Sequence, residues 1–297
     1  MKRIALIITA LALAATFFIL GSVLIYRTQA ASPESSGAKD AQTASTEEIS
    51  LPIVMYHSVL KTRRGKYTIH PDELERDIKK YLKLGYTPVL LREVSAWVEG
   101  RGDLPEKPMV ITFDDGHYNN LYYALPILRK HNVKAVVNIV TSFSRHSTET
   151  PGEAHNPNYS SLTWDDIREL HDIGLIEIGN HTHAMHKFKP RYGIAQVSNE
   201  TVDQYKQAIR DDLEKANTYL TESAGVPRPE TFAYPFGKYT KAGREVLQSL
   251  GFKAILTCNE GITKIRRGDP ESLLELKRYN RSGTANHNAF IKKVFGM

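Results

Sequence analysis

Two adjacent carboxylates, Asp114 and Asp115, close an apolar run that begins at Pro108, and Gly116 follows them at once. Neighbouring carboxylates repel, so one would hold a proton unless a cation lies between them. A metal held by one, with the other left as a base, resolves that conflict. A second group stands downstream in His181-Thr182-His183-Ala184-Met185-His186, with three imidazoles in six residues. Histidine is the commonest nitrogen ligand for zinc, and one Asp with two His makes an open site. His181 and His186 suit a ligand pair across an irregular turn, whereas His181 and His183 would point to opposite sides of a continuing strand. His57, Tyr234-Pro235-Phe236-Gly237 and Asn259-Glu260 also close short apolar runs. Each has a bland reading alone, as a solvated Asp-Gly turn, a polar surface loop or a packed strand end. Their common position at strand ends argues for one site.

To bring those ends together the chain must stack its strands side by side in one direction. The pattern supports this. Apolar runs over residues 51–57, 87–90, 108–113, 135–140, 175–179, 231–234, 253–257 and 274–279 read as strands, and helical periodicity falls between them. One helix opens on Pro71 with Asp72 and Glu73 in its first turn and an apolar stripe of Leu74, Ile78 and Tyr81/Leu82. Another begins at Thr163 with Asp166 three residues on, a capping-box variant. A long helix is expected over residues 200–223. Such alternation predicts a mostly parallel sheet wrapped by helices, open or closed into a barrel. Residues 142–161 have loop composition and could form a rim or lid.

The 297 residues, 41% apolar and 24% charged, are ordinary for a globular protein with an ample core. The net charge of +6 falls to +3 once Lys2, Arg3 and Arg27 are set aside, which is too mild to argue for a nucleic-acid partner. The single cysteine, Cys258, excludes an intramolecular disulfide and a cysteine-based zinc site, and its strand-like surroundings suit a small buried residue. Residues 4–26 form an unbroken low-charge run, which as a helix would span about 34 Å, enough for a bilayer core. Residues 1–27 therefore read as a membrane anchor, with secretion after cleavage near Ala30 as the alternative. Residues 28–50 read as a flexible linker and 51–297 as one extracytoplasmic domain, expected to be a single-pass membrane protein and a monomer.

Thr112-Phe113-Asp114-Asp115-Gly116, His181-Thr182 with a second His downstream, and Tyr234-Pro235-Phe236-Gly237 together resemble the successive motifs of the NodB-homology polysaccharide deacetylases, carbohydrate esterase family four. Met55-Tyr56-His57-Ser58 and the five-residue histidine spacing look most like the branch acting on poly-β-1,6-N-acetylglucosamine; the peptidoglycan and chitin branch spaces its histidines by four. The resemblance implies a deformed (β/α) barrel and a polysaccharide N-deacetylase. It also implies a divalent metal on Asp115, His181 and His186, and Asp114 as general base. Zn2+ fits that donor set, as do Co2+, Ni2+ and Fe2+. The backbone N–H of Phe236 is implied as an oxyanion donor, and Tyr234 and Phe236 could stack on a pyranose ring. Two departures stand out. Ala233 occupies the place where the family carries a base-orienting Arg, and Leu274-Leu-Glu-Leu-Lys-Arg278 lacks the Leu-X-His that supplies the general acid. His57 is the substitute acid the sequence offers. Arg278 and Arg281 read as groove-lining or solvated side chains.

Overall fold

The computed structural model describes residues 47–296. In chain order the strands are β1 (Glu48–Leu51), β2 (Ile53–Tyr56), β3 (Ser58–Val59), β4 (Thr68–Ile69), β5 (Thr87–Pro88) and β6 (Pro108–Phe113), then β7 (Ala135–Ile139), β8 (Ile176–Asn180), β9 (Thr231–Ala233), β10 (Ala254–Leu256), β11 (Thr263–Arg266) and β12 (Tyr279–Asn280). The principal sheet runs β10-β9-β8-β7-β6-β2-β12, all pairs parallel, with β5 beside β6. Every residue of β6, β7 and β8 is buried, as a strand covered on both faces requires. Alternation divides their side chains between two layers. Ile111, Phe113, Val137 and Ile178 join Leu74, Ile78 and Ile167 from helices, while Val110, Val136, Ala233, Ala254 and Leu256 gather with Leu276 on the concave side.

The sheet curls into a half-barrel, and one irregular segment links its two edges. The Leu276 amide donates to Ile255 O at 2.9 Å, Leu276 O accepts from the Thr257 amide at 2.9 Å, and the Arg278 amide donates to Asn259 O at 2.9 Å. The next two residues are β12, which pairs with β2. The link carries Arg278 across the concave mouth.

The helix Pro71–Lys83 forms as its sequence predicts, with His70 accepting from the Asp72 amide and Leu74, Ile78 and Tyr81 buried; Leu82 stays exposed. Thr163 and Asp166 cap Trp164–Asp172 reciprocally. The long helix is regular over Val202–Thr218 and widens into a looser turn at Tyr219–Ser223. Three segments differ from expectation. A helix, Thr141–Glu149, occupies the first half of the expected loop; its buried face is Thr141, Ser144 and Ser147, small polar residues that leave no apolar periodicity to read. β1 starts upstream of the expected Leu51 and pairs antiparallel with β11, a strand without a recognisable run of its own. The expected strand at 274–279 is displaced to Tyr279–Asn280 by a short turn at Pro270–Leu273. The proposed anchor and nearly all of the linker lie outside the described residues. Among the described residues no helix is long and apolar enough to cross a membrane.

Candidate metal centre

The Asp-Asp-Gly turn leaves β6 through a left-handed backbone, with φ +76° at Asp115 and +67° at Gly116. A side chain on Gly116 would meet Ile139 Cδ1 at 3.1 Å, so glycine serves both the backbone and the close approach of β7. This turn sends the two carboxylates in different directions.

Asp114 is buried, at 1% exposure. Its Oδ1 accepts from Asn138 Nδ2 at 2.7 Å and from Arg278 Nη1 at 2.8 Å. Arg278 is itself fixed by Nε donating to Thr257 O at 2.8 Å and Nη1 to Thr112 Oγ1 at 3.1 Å. Burial pushes the Asp114 carboxyl upward, but the Arg278 guanidinium, with His181 and His57, outweighs it and holds the group down at about 2. Gly179 leaves room for the clamp, since a Cβ there would fall 2.1 Å from Asn138 Oδ1.

Asp115 turns to the histidines. Its Oδ1 lies 3.1 Å from His186 Nε2 and 3.5 Å from His181 Nε2, and ligand atoms of all three side chains lie within 4.8 Å of one another. His181 Nδ1 contacts Ala233 O at 2.7 Å, which assigns the proton to Nδ1 and leaves the Nε2 lone pair for a ligand. Asp115 Oδ1 is buried without a hydrogen-bond partner. A buried orphan carboxylate oxygen facing two imidazole nitrogens fits a divalent cation held by one oxygen and two nitrogens. Burial raises the Asp115 carboxyl, yet contacts with His117, His181 and His186 take it well below the carboxylate range.

The loop carrying the histidines is fastened from below. Asp212, on Val202–Thr218, accepts the His183 amide at 2.7 Å and the Ala184 amide at 2.8 Å, and Asn180 Oδ1 accepts the Thr182 amide at 2.7 Å. His183 faces away, with Nδ1 3.0 Å from Thr141 Oγ1 and its ring stacked on Tyr219. Burial lowers it to about 4, with further lowering by Lys215, Arg145 and Lys187.

His57 follows the Tyr56–Phe113 register pair, beside Asp114 in the neighbouring strand. Its Nδ1 is buried without a partner and its ring lies 4.6 Å from Tyr67. Burial lowers its pKa against the opposing pull of Asp115 and Asp114. Phe236 stands at the mouth with φ +57°, its ring 4.5 Å from His186. Tyr234 is a correction: it is fully buried, stacked on Tyr239 and edge-on to Phe232, because the strand's alternation points it into the core. It offers no face to a sugar. Arg278 and Arg281 are also corrected, both being buried in ion pairs. Cys258 is half-buried behind the base, with Sγ 3.9 Å from Arg278 Nη2, and burial pushes its thiol upward.

Asn138, Asp212 and the Arg278 clamp were missed at the level of sequence. Asn138 carried the one available signal, a lone amide inside an apolar strand.

A family model described as polysaccharide deacetylase matches residues 101–255, just over half of the chain. The chain is similar to a poly-beta-1,6-N-acetyl-D-glucosamine N-deacetylase of Escherichia coli (strain K12), 28% identical over 211 residues that cover 62% of this chain and 30% of that protein. A protein of the same name from Staphylococcus aureus (strain MRSA252) is 26% identical over 187 residues, covering 63% of this chain and 60% of its own. The chain thus spans between about a third and three-fifths of these relatives' length. Among solved structures, IcaB from Ammonifex degensii superposes with a TM-score of 0.64 at 24% identity, over 78% of this chain and 92% of that one, a likeness of fold.

Proposed function

The chain belongs to the polysaccharide deacetylase family, and we propose that it is a metal-dependent hydrolase removing N-acetyl groups from N-acetylglucosamine residues of an extracellular poly-β-1,6-type polysaccharide. The observation that carries this reading is the divergence of two adjacent carboxylates. One is clamped through a single oxygen by Arg278 and Asn138; the other faces two imidazoles with an orphan oxygen. The names of the relatives support the polymer, and peptidoglycan and chitin-type glycans are the alternatives within the same chemistry.

A divalent cation held by Asp115, His181 and His186 would supply Lewis acidity toward the acetamide carbonyl and an acidified water. Asp114 is ionised at neutral pH, and its Oδ2, which neither clamp donor occupies, accepts the proton of the attacking water. The Phe236 amide donates to the developing oxyanion. The proton that Asp114 takes from the water is then needed by the departing amine, and His57, kept neutral at rest by burial and with an unpartnered buried Nδ1, is the residue assigned to relay it. Acetate and a free amine result. Arg278 takes the base-orienting place that Ala233 leaves empty, which supports turnover over the alternative of a weakly active or inactive polysaccharide-binding relative.

Exposed aromatic rings support a sugar polymer. Phe188, 68% exposed, and Tyr192 both stack on Phe236, at 4.6 and 5.0 Å, while Phe143 lies 5.9 Å from His186. Aromatic faces beside a few convergent polar groups are how ligand sites bind amphipathic rings. We also infer from the apolar run of residues 4–26 that the domain is tethered to a membrane on its outer side; protease treatment of intact cells that fails to reach the domain would remove that placement.

The deciding experiment measures metal content and acetate release together, for the purified protein and its His181→Ala and His57→Ala variants, on β-1,6- and β-1,4-linked N-acetylglucosamine oligomers. Stoichiometric metal and acetate release, both lost in His181→Ala, are expected, with β-1,6 preferred. His57→Ala should keep the metal and lose rate by about 10²-fold. Metal-free protein with undiminished turnover would overturn the reading.

A further inference from the structure

We propose that His117 is a positioning residue for the metal ligand Asp115, holding Oδ2 so that Oδ1 alone serves the cation site; this rests on the metal reading above. His117 Nε2 lies 3.5 Å from Asp115 Oδ2, whereas the nearest nitrogens of His181 and His186 lie 3.5 and 3.1 Å from Oδ1. The two oxygens of one carboxylate therefore have different neighbours. The group of donor atoms lying within 4.8 Å of one another contains Asp115, His181 and His186 and not His117, which sets His117 behind the ligand rather than among the ligands.

The imidazole stands on the backbone of the same turn, which a neighbouring strap holds in place. His117 bridges antiparallel to Ser161, the Tyr118 amide donates to Ser160 O at 2.9 Å, and the Leu162 amide donates to Gly116 O at 2.9 Å. That strap is itself tied down, by Asn119 Nδ2 donating to Pro157 O at 2.9 Å and by the Ser161 amide donating to Ser147 Oγ at 3.2 Å. Residues 150–162, which take in the second half of the 142–161 stretch expected from composition to be a rim or lid, thus act as the support for the turn that carries the ligand.

A carboxylate free to rotate can bind a cation through both oxygens and take up a position that water or substrate needs. An imidazole in ion-pair contact with the far oxygen biases the carboxylate toward single-oxygen ligation and orients the ligand, and partners of this kind are typically worth about 10–100-fold in metal affinity. The His117 side chain is about one-third exposed, so its removal leaves little buried void.

The test is zinc affinity of the full-length protein, measured by competition with a chromophoric chelator, together with the visible spectrum of the Co2+-loaded form. His117→Ala should melt at the wild-type temperature when metal-free, bind Zn2+ about 10–100-fold more weakly, and show a weaker Co2+ absorption as the second carboxylate oxygen joins. His117→Gln, which restores an N–H at similar reach, should recover most of the affinity and the wild-type spectrum. Unchanged affinity and spectrum in His117→Ala would overturn the proposal, as would a His117→Gln spectrum showing loss of a nitrogen ligand. Wild-type protein that binds no stoichiometric Zn2+ would instead overturn the metal reading itself.

Discussion

Two arginines three residues apart, Arg278 and Arg281, each reach a buried aspartate, and the two pairs do different work. Asp77 has both oxygens occupied. Arg281 Nε donates to Oδ2 at 2.7 Å, where Tyr56 Oη also donates at 3.1 Å, and His287 Nδ1 lies 2.7 Å from Oδ1. Among the described residues Asp114 is held through Oδ1, by Arg278 and Asn138, and its other oxygen is claimed by neither. Both pairs must offset a large desolvation cost with good geometry. A carboxylate saturated on both oxygens is a structural node that joins the C-terminal segment to the helix Pro71–Lys83. A carboxylate clamped on one oxygen is oriented and still able to take a proton.

That contrast can be broken most decisively by matched substitutions. Asp114→Asn should lower kcat by about 10³-fold with metal content intact, the loss expected when a general base is removed, and should also cost stability because the buried Arg278 loses its charged partner. Asp77→Asn should spare the chemistry, leaving turnover per folded molecule unchanged while costing about 3–5 kcal/mol of stability because Arg281 is stranded in the core. Denaturant melts and steady-state kinetics on the two variants read both quantities. If Asp77→Asn loses turnover as steeply as Asp114→Asn, the division of labour is wrong.

A smaller effect sharpens it. Arg278→Lys keeps the charge and loses the planar fork that joins Thr112, Thr257 and Asp114, so kcat should fall by about 10²-fold through misplacement of the base. KM should be little changed; a rise in KM with kcat intact would make Arg278 a substrate contact instead. The smallest effect is in acid. Asp114 sits at about 2 in the folded protein against an ordinary 3.8, so the stability it contributes is complete above the ordinary value and is lost as pH falls toward the folded one. The amount is on the order of 2 kcal/mol. Urea melts of metal-free wild type and Asp114→Asn, from about pH 5 down to about pH 2, should converge as the wild type loses this term. Parallel curves would exclude Arg278's hold on Asp114 as its source.

Much of the site was legible because its signals are local. The Asp-Asp-Gly turn ends a six-residue buried strand, and His181 follows β8 directly. The Pro71 start and the Thr163 cap mark helices by backbone chemistry confined to one turn. Where side-chain direction depended on neighbours, local reading failed. Tyr234 looked like a site aromatic and is core, while the Ser- and Thr-rich Thr141–Glu149 looked like loop and is helix, because its buried face is polar.

Sequence alone determined the alternating parallel architecture, the strand ends where chemistry gathers, the Asp114-Asp115 pair and the His181 and His186 candidates, since each rests on periodicity or spacing within a few residues; Asp115 as the ligand of the two carboxylates was implied by the family resemblance. Only the tertiary structure decided which cation accompanies the base. Arg278 is 164 residues from Asp114, and nothing in either neighbourhood names the other. They meet because the sheet curls until the segment after β11 can hydrogen-bond to β10 and then pair with β2, and that closure belongs to the packing of all the strands together.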